Sequence, residues 1–82
     1  MDQQSPKPVG LRKRSFSIAG HRTSIALEPE FWAALERECR ERKLALAALV
    51  ARIDATRAER NLASTLRVHV LARALEKTAT AV

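Results

Sequence analysis

From Arg22 to Leu27 apolar and polar side chains alternate, Thr23, Ile25 and Leu27 on one side and Arg22, Ser24 and Ala26 on the other. A period of two is that of a half-buried strand, so this stretch predicts one over about residues 22–27. Glu28-Pro29-Glu30 follows, with proline suited to a first helical position and acidic groups to the positive end of a helix dipole. The period then changes. Phe31, Trp32, Leu35 and Cys39 fall within about 100° of arc at 100° per residue, and Glu36, Arg37, Arg40 and Glu41 lie outside it, which predicts a helix over about 29–42. After Glu41-Arg42-Lys43, Leu46, Leu49, Val50 and Ile53 open a new stripe at i, i+3, i+4, i+7, a second helix over about 45–58. Residues 56–60 are polar, and Asn61 is suited to cap a third helix over about 61–78. That helix carries two stripes, Leu62, Leu66, Val70 and Ala74 on one side and Val68, Leu71 and Leu75 on another.

The fold class expected is therefore mainly α with a short β-ribbon. Residues 1–14, with two prolines, a glycine and the basic run Arg12-Lys13-Arg14, read as a disordered basic arm ahead of a core over 15–55. A strand over 22–27 without a partner leaves backbone donors and acceptors bare, and a second copy paired about a two-fold axis would satisfy them. Ile25, Leu27, Phe31, Trp32, Leu35, Leu49, Val50 and Ile53 are then the dimer core. Ser15 to Ala19 also alternates, and Gly20-His21 suits a two-residue II′ turn, so an intrachain hairpin is the other possibility. In the first case Phe16 and Ile18 cover the sheet edge. In the second, pairing two hairpins would widen the ribbon to four strands, too broad for a major groove about 12 Å wide.

Composition narrows the function. A chain of 82 residues is marginal alone, and its one cysteine, Cys39, permits no intrachain disulfide. No Cys/His spacing suggests a metal, Asp54 has a surface partner in Arg57 but no catalytic one, and no Gly-rich phosphate loop or nucleophile with a base is present, so neither enzyme, metal nor cofactor is expected. The longest uncharged apolar run, Leu44 to Ala51, falls well short of the ~20 residues of a membrane span. With no signal-like N-terminus either, the expected compartment is the cytoplasm. Net charge is +6, and residues 1–22 hold Lys7, Arg12, Lys13, Arg14 and Arg22 against Asp2 alone. Such an excess at the ribbon favours a polyanion. Three aromatics, Phe16, Phe31 and Trp32, are few for single-stranded nucleic acid, which needs stacking platforms.

Arg22 to about Ala55 resembles the ribbon-helix-helix superfamily of small bacterial and phage repressors. The pattern Gly20-His21-Arg22-Thr23-Ser24, Leu27-Glu28-x-x-Phe31-Trp32, Ile53-Asp54 and Asn61-Leu62-x-Ser64 is similar to one bacterial branch of it. The resemblance implies an intertwined homodimer whose antiparallel ribbon reads the major groove, with Arg22, Ser24 and Ala26 facing bases. It also implies that the start of the second helix, Leu44, Ala45 and Leu46, grips phosphate through backbone amides. The hydroxyl residue frequent at that turn is absent from Lys43-Leu44-Ala45, and Lys43 can supply charge in its place. Arg12, Lys13, Arg14 and Lys43 are the further phosphate-contact candidates. The expected activity is sequence-specific binding of double-stranded DNA as a transcriptional regulator. A dimeric protein-interaction adaptor, antitoxin-like or a regulatory subunit, using the third helix to hold a second protein, is the alternative.

Overall fold

A computed structural model describes residues 10–80. Residues 1–9 of the expected arm lie outside the described residues. The elements in order are β1 (Arg12–Ile18), β2 (His21–Leu27), α1 (Pro29–Arg42), α2 (Leu46–Asp54) and α3 (Leu62–Thr80).

The strand expected over 22–27 has its partner in its own chain. β1 and β2 form a two-stranded antiparallel sheet in the register Arg12↔Leu27 through Ser15↔Ser24 to Ile18↔His21. Arg12, Lys13 and Arg14 are therefore strand, not arm, and the bare backbone that called for a second copy is paired internally. The turn differs from the expected Gly20-His21 by one residue. Its central pair is Ala19 (φ 53°) and Gly20 (φ 82°), and positive φ at both positions is the I′ pattern, whose twist matches that of the strands.

Opposed residues in an antiparallel pair share a face. Ile18, Ile25 and Leu27 are buried, with Phe16 and Thr23 half-buried beside them, and this inner face lies against the helices. Pro29 opens α1 as its position predicts, the Glu28 carbonyl accepting from the amides of Phe31 and Trp32. Lys43 ends α1 in the left-handed region (φ 58°), a conformation that glycine usually supplies at this point, and the amides of Lys43 and Leu44 both donate to the Cys39 carbonyl. The second helix stops at Asp54, short of the expected 58. Beyond it the Thr56 hydroxyl and amide both turn back to the Ile53 carbonyl, and Ala58 takes a positive φ of 55°, which no helix continues. Asp54 and Arg57 make the expected i, i+3 pair.

The core joins Ile18, Ile25, Leu27, Trp32, Leu35, Cys39, Leu49, Val50, Ile53 and Leu66. Every residue expected in a dimer core except Phe31, which is half-buried, is buried within the single chain. Leu66 is the contribution of α3, whose first stripe (Leu62, Leu66, Val70) packs on the core, so this helix closes the domain. Asn61 caps it as expected, its Oδ1 accepting from the Ser64 amide at 2.8 Å. The second stripe of α3 is uncovered: Val68, Leu71 and Leu75 are 45%, 56% and 60% exposed. Cys39 is a buried core thiol, pushed above its usual value first by burial and then by nearby Glu38 and Glu36, which leaves it protonated and unreactive.

Candidate nucleic-acid interface

The register sets which side chains share the solvent face of the ribbon. Lys13 is opposite Ala26, Ser15 opposite Ser24, and Ser17 opposite Arg22. All are exposed except Ala26, which is half-buried. The sequence pattern placed Arg22, Ser24 and Ala26 on an outer face, and the structure does the same. It also brings Lys13, Ser15 and Ser17 onto that face, a set hidden from the sequence because the pairing of β1 was open. The Oγ atoms of Ser15 and Ser24 are 3.1 Å apart across the strands. The face thus carries a cation near each end and three hydroxyls between, groups that donate to and accept from base edges.

The basic residues of this region separate into two kinds. Arg14 lies on the inner face, opposite Ile25. Its Nη1 donates to Glu36 Oε2 at 2.7 Å and its guanidinium sits 4.8 Å from the centre of the Trp32 ring. Trp32 in turn donates through Nε1 to the Arg12 carbonyl at 2.9 Å and tilts against Phe16 with centroids 5.9 Å apart. Arg14, expected at phosphate, therefore joins the ring and Glu36 in holding β1 on α1. Arg12, Lys13, Arg22 and Lys43 are exposed and have no carboxylate partner among the described residues.

At the start of α2, Ala45 is exposed while Leu44 and Leu46 are half-buried against the core. The first turn of α2 contains no acidic residue and Ala45 offers no capping side chain, so its leading amides are not satisfied from within the helix. Lys43 is two residues upstream. The start of α3 offers no such opening, because its polar groups are already paired. Asn61 takes the Ser64 amide, Thr65 is buried with its hydroxyl donating to the Asn61 carbonyl, and Arg67 bonds Glu28 at 3.0 Å.

A second polar cluster lies between α1 and α3. Glu38, only 2% exposed, accepts from His69 Nε2 at 2.8 Å and Arg42 Nη1 at 2.6 Å, and Arg73 Nε is 3.7 Å away. Burial opposes its ionisation, but the bonds from His69 and Arg42 and the nearby positive charge prevail and hold the carboxyl below its ordinary value. Glu41, one turn on, is bonded by Lys77 and Arg73, which lower its pKa also. Glu38 was not singled out from sequence, although it falls just beside Phe31 at the edge of the apolar arc, and that placement was its one signal. Among the described residues no group of His, Cys, Asp or Glu could hold a metal. No helix among them is long and apolar enough to cross a membrane.

The sequence model of the ribbon-helix-helix domain matches residues 11–74, from the start of β1 into α3. No curated protein and no solved structure gives a significant match to the chain. The match includes β1 and most of α3 as well as the strand and two helices that the pattern made legible, and the fold is mainly α behind a two-stranded antiparallel ribbon. This chain is a member of the ribbon-helix-helix domain family, a family of DNA-binding regulators.

Proposed function

We propose that the protein is a sequence-specific, homodimeric transcriptional regulator that enters the major groove of double-stranded DNA with the hairpin of each chain. The observation carrying this reading is the outer face of β1–β2, where Lys13 and Arg22, both exposed and without a carboxylate partner among the described residues, accompany Ser15, Ser17 and Ser24. Two strands about 4.8 Å apart fit a groove about 12 Å wide, whereas four do not. Lys13 to Ser17 spans roughly 13 Å at ~3.3 Å per residue, close to four base-pair steps, so each hairpin reads a short half-site. In this arrangement Arg22 bonds guanine, Ser24 and its neighbour Ser15 bond base edges, and the Ala26 methyl meets a thymine methyl. Arg12, Lys43 and the amides at Ala45 and Leu46 contact phosphate, while the amide of Leu44, a candidate from sequence, is taken by the Cys39 carbonyl, and Arg14 holds the ribbon in place.

The test is selection from sheared genomic DNA followed by binding to the recovered site at several salt concentrations. The expected result is enrichment of a two-fold symmetric site. Replacing Arg22 with alanine should relax preference at one position of each half-site, by about 1–3 kcal/mol. Removing the charge of Lys43 should weaken all sequences alike and lower the salt slope by about one per contact, whereas Arg14→Ala should leave the slope unchanged. Unselective binding that vanishes near physiological salt would refute base reading by the ribbon and favour the adaptor.

A further inference from the structure

Thr65, Val68, His69 and Ala72, spaced i, i+3, i+4, i+7 on α3, line an open cavity of about 500 Å³ together with the end of α2 and the connection that follows it. Ligand sites are commonly of that size, about 300–1,000 Å³. The walls are of two kinds. Ile53, Val68 and Ala72 are apolar, while Glu59 and Arg60 stand on the lip that the connection forms. These two neighbours carry opposite charges and are exposed, yet their side chains pair neither with each other nor with any other described residue. Arg57, also on the lip, is balanced by Asp54. The lip itself is fixed. The Arg60 amide donates to the Arg57 carbonyl, Arg57 Nη1 returns to the Arg60 carbonyl at 3.0 Å, and Ala58 between them holds φ at 55°. A non-glycine residue keeps such a backbone only where its surroundings over-determine it. Two acceptors are also left over. Thr65 is buried and gives its hydroxyl proton to the Asn61 carbonyl, and His69 gives its Nε2 proton to Glu38, so the Thr65 oxygen and, in the neutral ring, His69 Nδ1 retain unused lone pairs.

We propose that this cavity binds a free α-amino acid with a large apolar side chain. Such a ligand is a zwitterion at neutral pH, a carboxylate and an ammonium on one carbon with an apolar body beyond them. The lip presents the two unpaired charges that match it, Arg60 for the carboxylate, through the fork geometry of a guanidinium, and Glu59 for the ammonium. An ammonium has three N–H donors, and Thr65 and His69, lining the same cavity, accept those that Glu59 does not. The apolar body covers Ile53, Val68 and Ala72. A simple anion is a poorer match, because Glu59 offsets Arg60 and Asp54 already offsets Arg57. The site is open, so water screens both ion pairs and each contributes only about two- to fivefold in affinity. For a ligand of about twelve non-hydrogen atoms a dissociation constant of about 0.1–1 mM is expected. None of these residues is on the hairpin, so amino-acid binding does not depend on the ribbon's role at DNA.

The experiment is an NMR titration of the isotope-labelled full chain with L-phenylalanine up to about 20 mM at constant ionic strength, with Trp32 fluorescence reporting the fold. Saturable shifts are expected at the Ile53 and Val68 methyls and the His69 ring, and none at Lys13 to Ser17 in the hairpin. 3-Phenylpropionate lacks the ammonium, phenethylamine the carboxylate and glycine the apolar body, and each should bind more weakly, by about two- to fivefold for a lost charge and more for the lost body. Arg60→Ala should weaken L-phenylalanine by about two- to fivefold without changing phenethylamine, and Glu59→Gln should weaken it without changing 3-phenylpropionate. Both side chains are exposed and unpaired among the described residues, so neither change should disturb Trp32. Ala72→Phe fills the cavity and should abolish binding, whereas Arg52→Ala, in the last turn of α2 and outside the cavity, should have no effect. No saturable shift over that range, binding of phenethylamine or 3-phenylpropionate as tight as that of L-phenylalanine, unchanged binding by Ala72→Phe, or an effect of Arg52→Ala equal to that of Arg60→Ala would each overturn the proposal.

Discussion

Replacing Glu38 with glutamine should destabilise the protein by about 2 kcal/mol at neutral pH, and the loss should fade in acid. Glu38 is buried and accepts two direct hydrogen bonds, from His69 at 2.8 Å and Arg42 at 2.6 Å. Bonds to a buried charge contribute about 1.5–3 kcal/mol each. Both partners are part-exposed, Arg42 by 38% and His69 by 29%, so each regains water when released, and the glutamine carbonyl keeps one acceptor. The net is therefore nearer one such bond than two, and roughly 10 °C in Tm for a domain of this size. The pH dependence has a definite sign. The folded carboxyl titrates below its ordinary value of 4.5, so between the two values the unfolded chain binds more protons. The stabilisation is complete above the unfolded value and is lost as pH falls through the folded one. The assay is urea unfolding followed by Trp32 fluorescence at fixed protein concentration, from pH 7 to 3. Glu28 and Glu41 also have lowered pKa values and remain in the variant, so the difference between the two proteins isolates Glu38. A loss below about 0.5 kcal/mol at pH 7, or a loss constant down to pH 3, would refute the reasoning.

Two backbone positions yield further predictions. Ala19 occupies the first central position of the turn with φ 53°, so Ala19→Asn should raise stability by about 0.5–1 kcal/mol in the same unfolding assay, asparagine being far more at ease there. Lys43 ends α1 at φ 58° and is also a proposed phosphate contact, so Lys43→Gly should raise stability by about 1 kcal/mol while weakening DNA binding and its salt slope. Parallel changes in stability and affinity would argue that Lys43 has no role at DNA.

Most of the secondary structure was legible along the chain because local periodicity and caps decide it. Pro29 at the helix start, the Asn61 cap and the change from period two to 3.6 after Leu27 each act within a few residues, and the structure follows all three. The outer position of Arg22 and Ser24 was legible for the same reason, since a strand with Ile25 and Leu27 inward has only one way to point its remaining side chains. What local pattern could not decide was the partner of each surface. The pairing of β1 with β2 depends on a turn at Ala19-Gly20 and on Trp32, whose indole reaches from α1 to the Arg12 carbonyl twenty residues earlier. That contact turns the presumed arm into a strand, assigns Arg14 to Glu36 and adds Lys13, Ser15 and Ser17 to the candidate interface. Glu38 is the clearest case. Its own neighbours in sequence mark only the edge of an apolar arc, and what makes a carboxylate stable there is a histidine thirty-one residues away on α3. The elements and their faces follow from forces that act over one or two turns and are therefore written locally in the chain. Which faces meet is settled in the folded molecule, because burial and charge pairing join residues far apart in the chain.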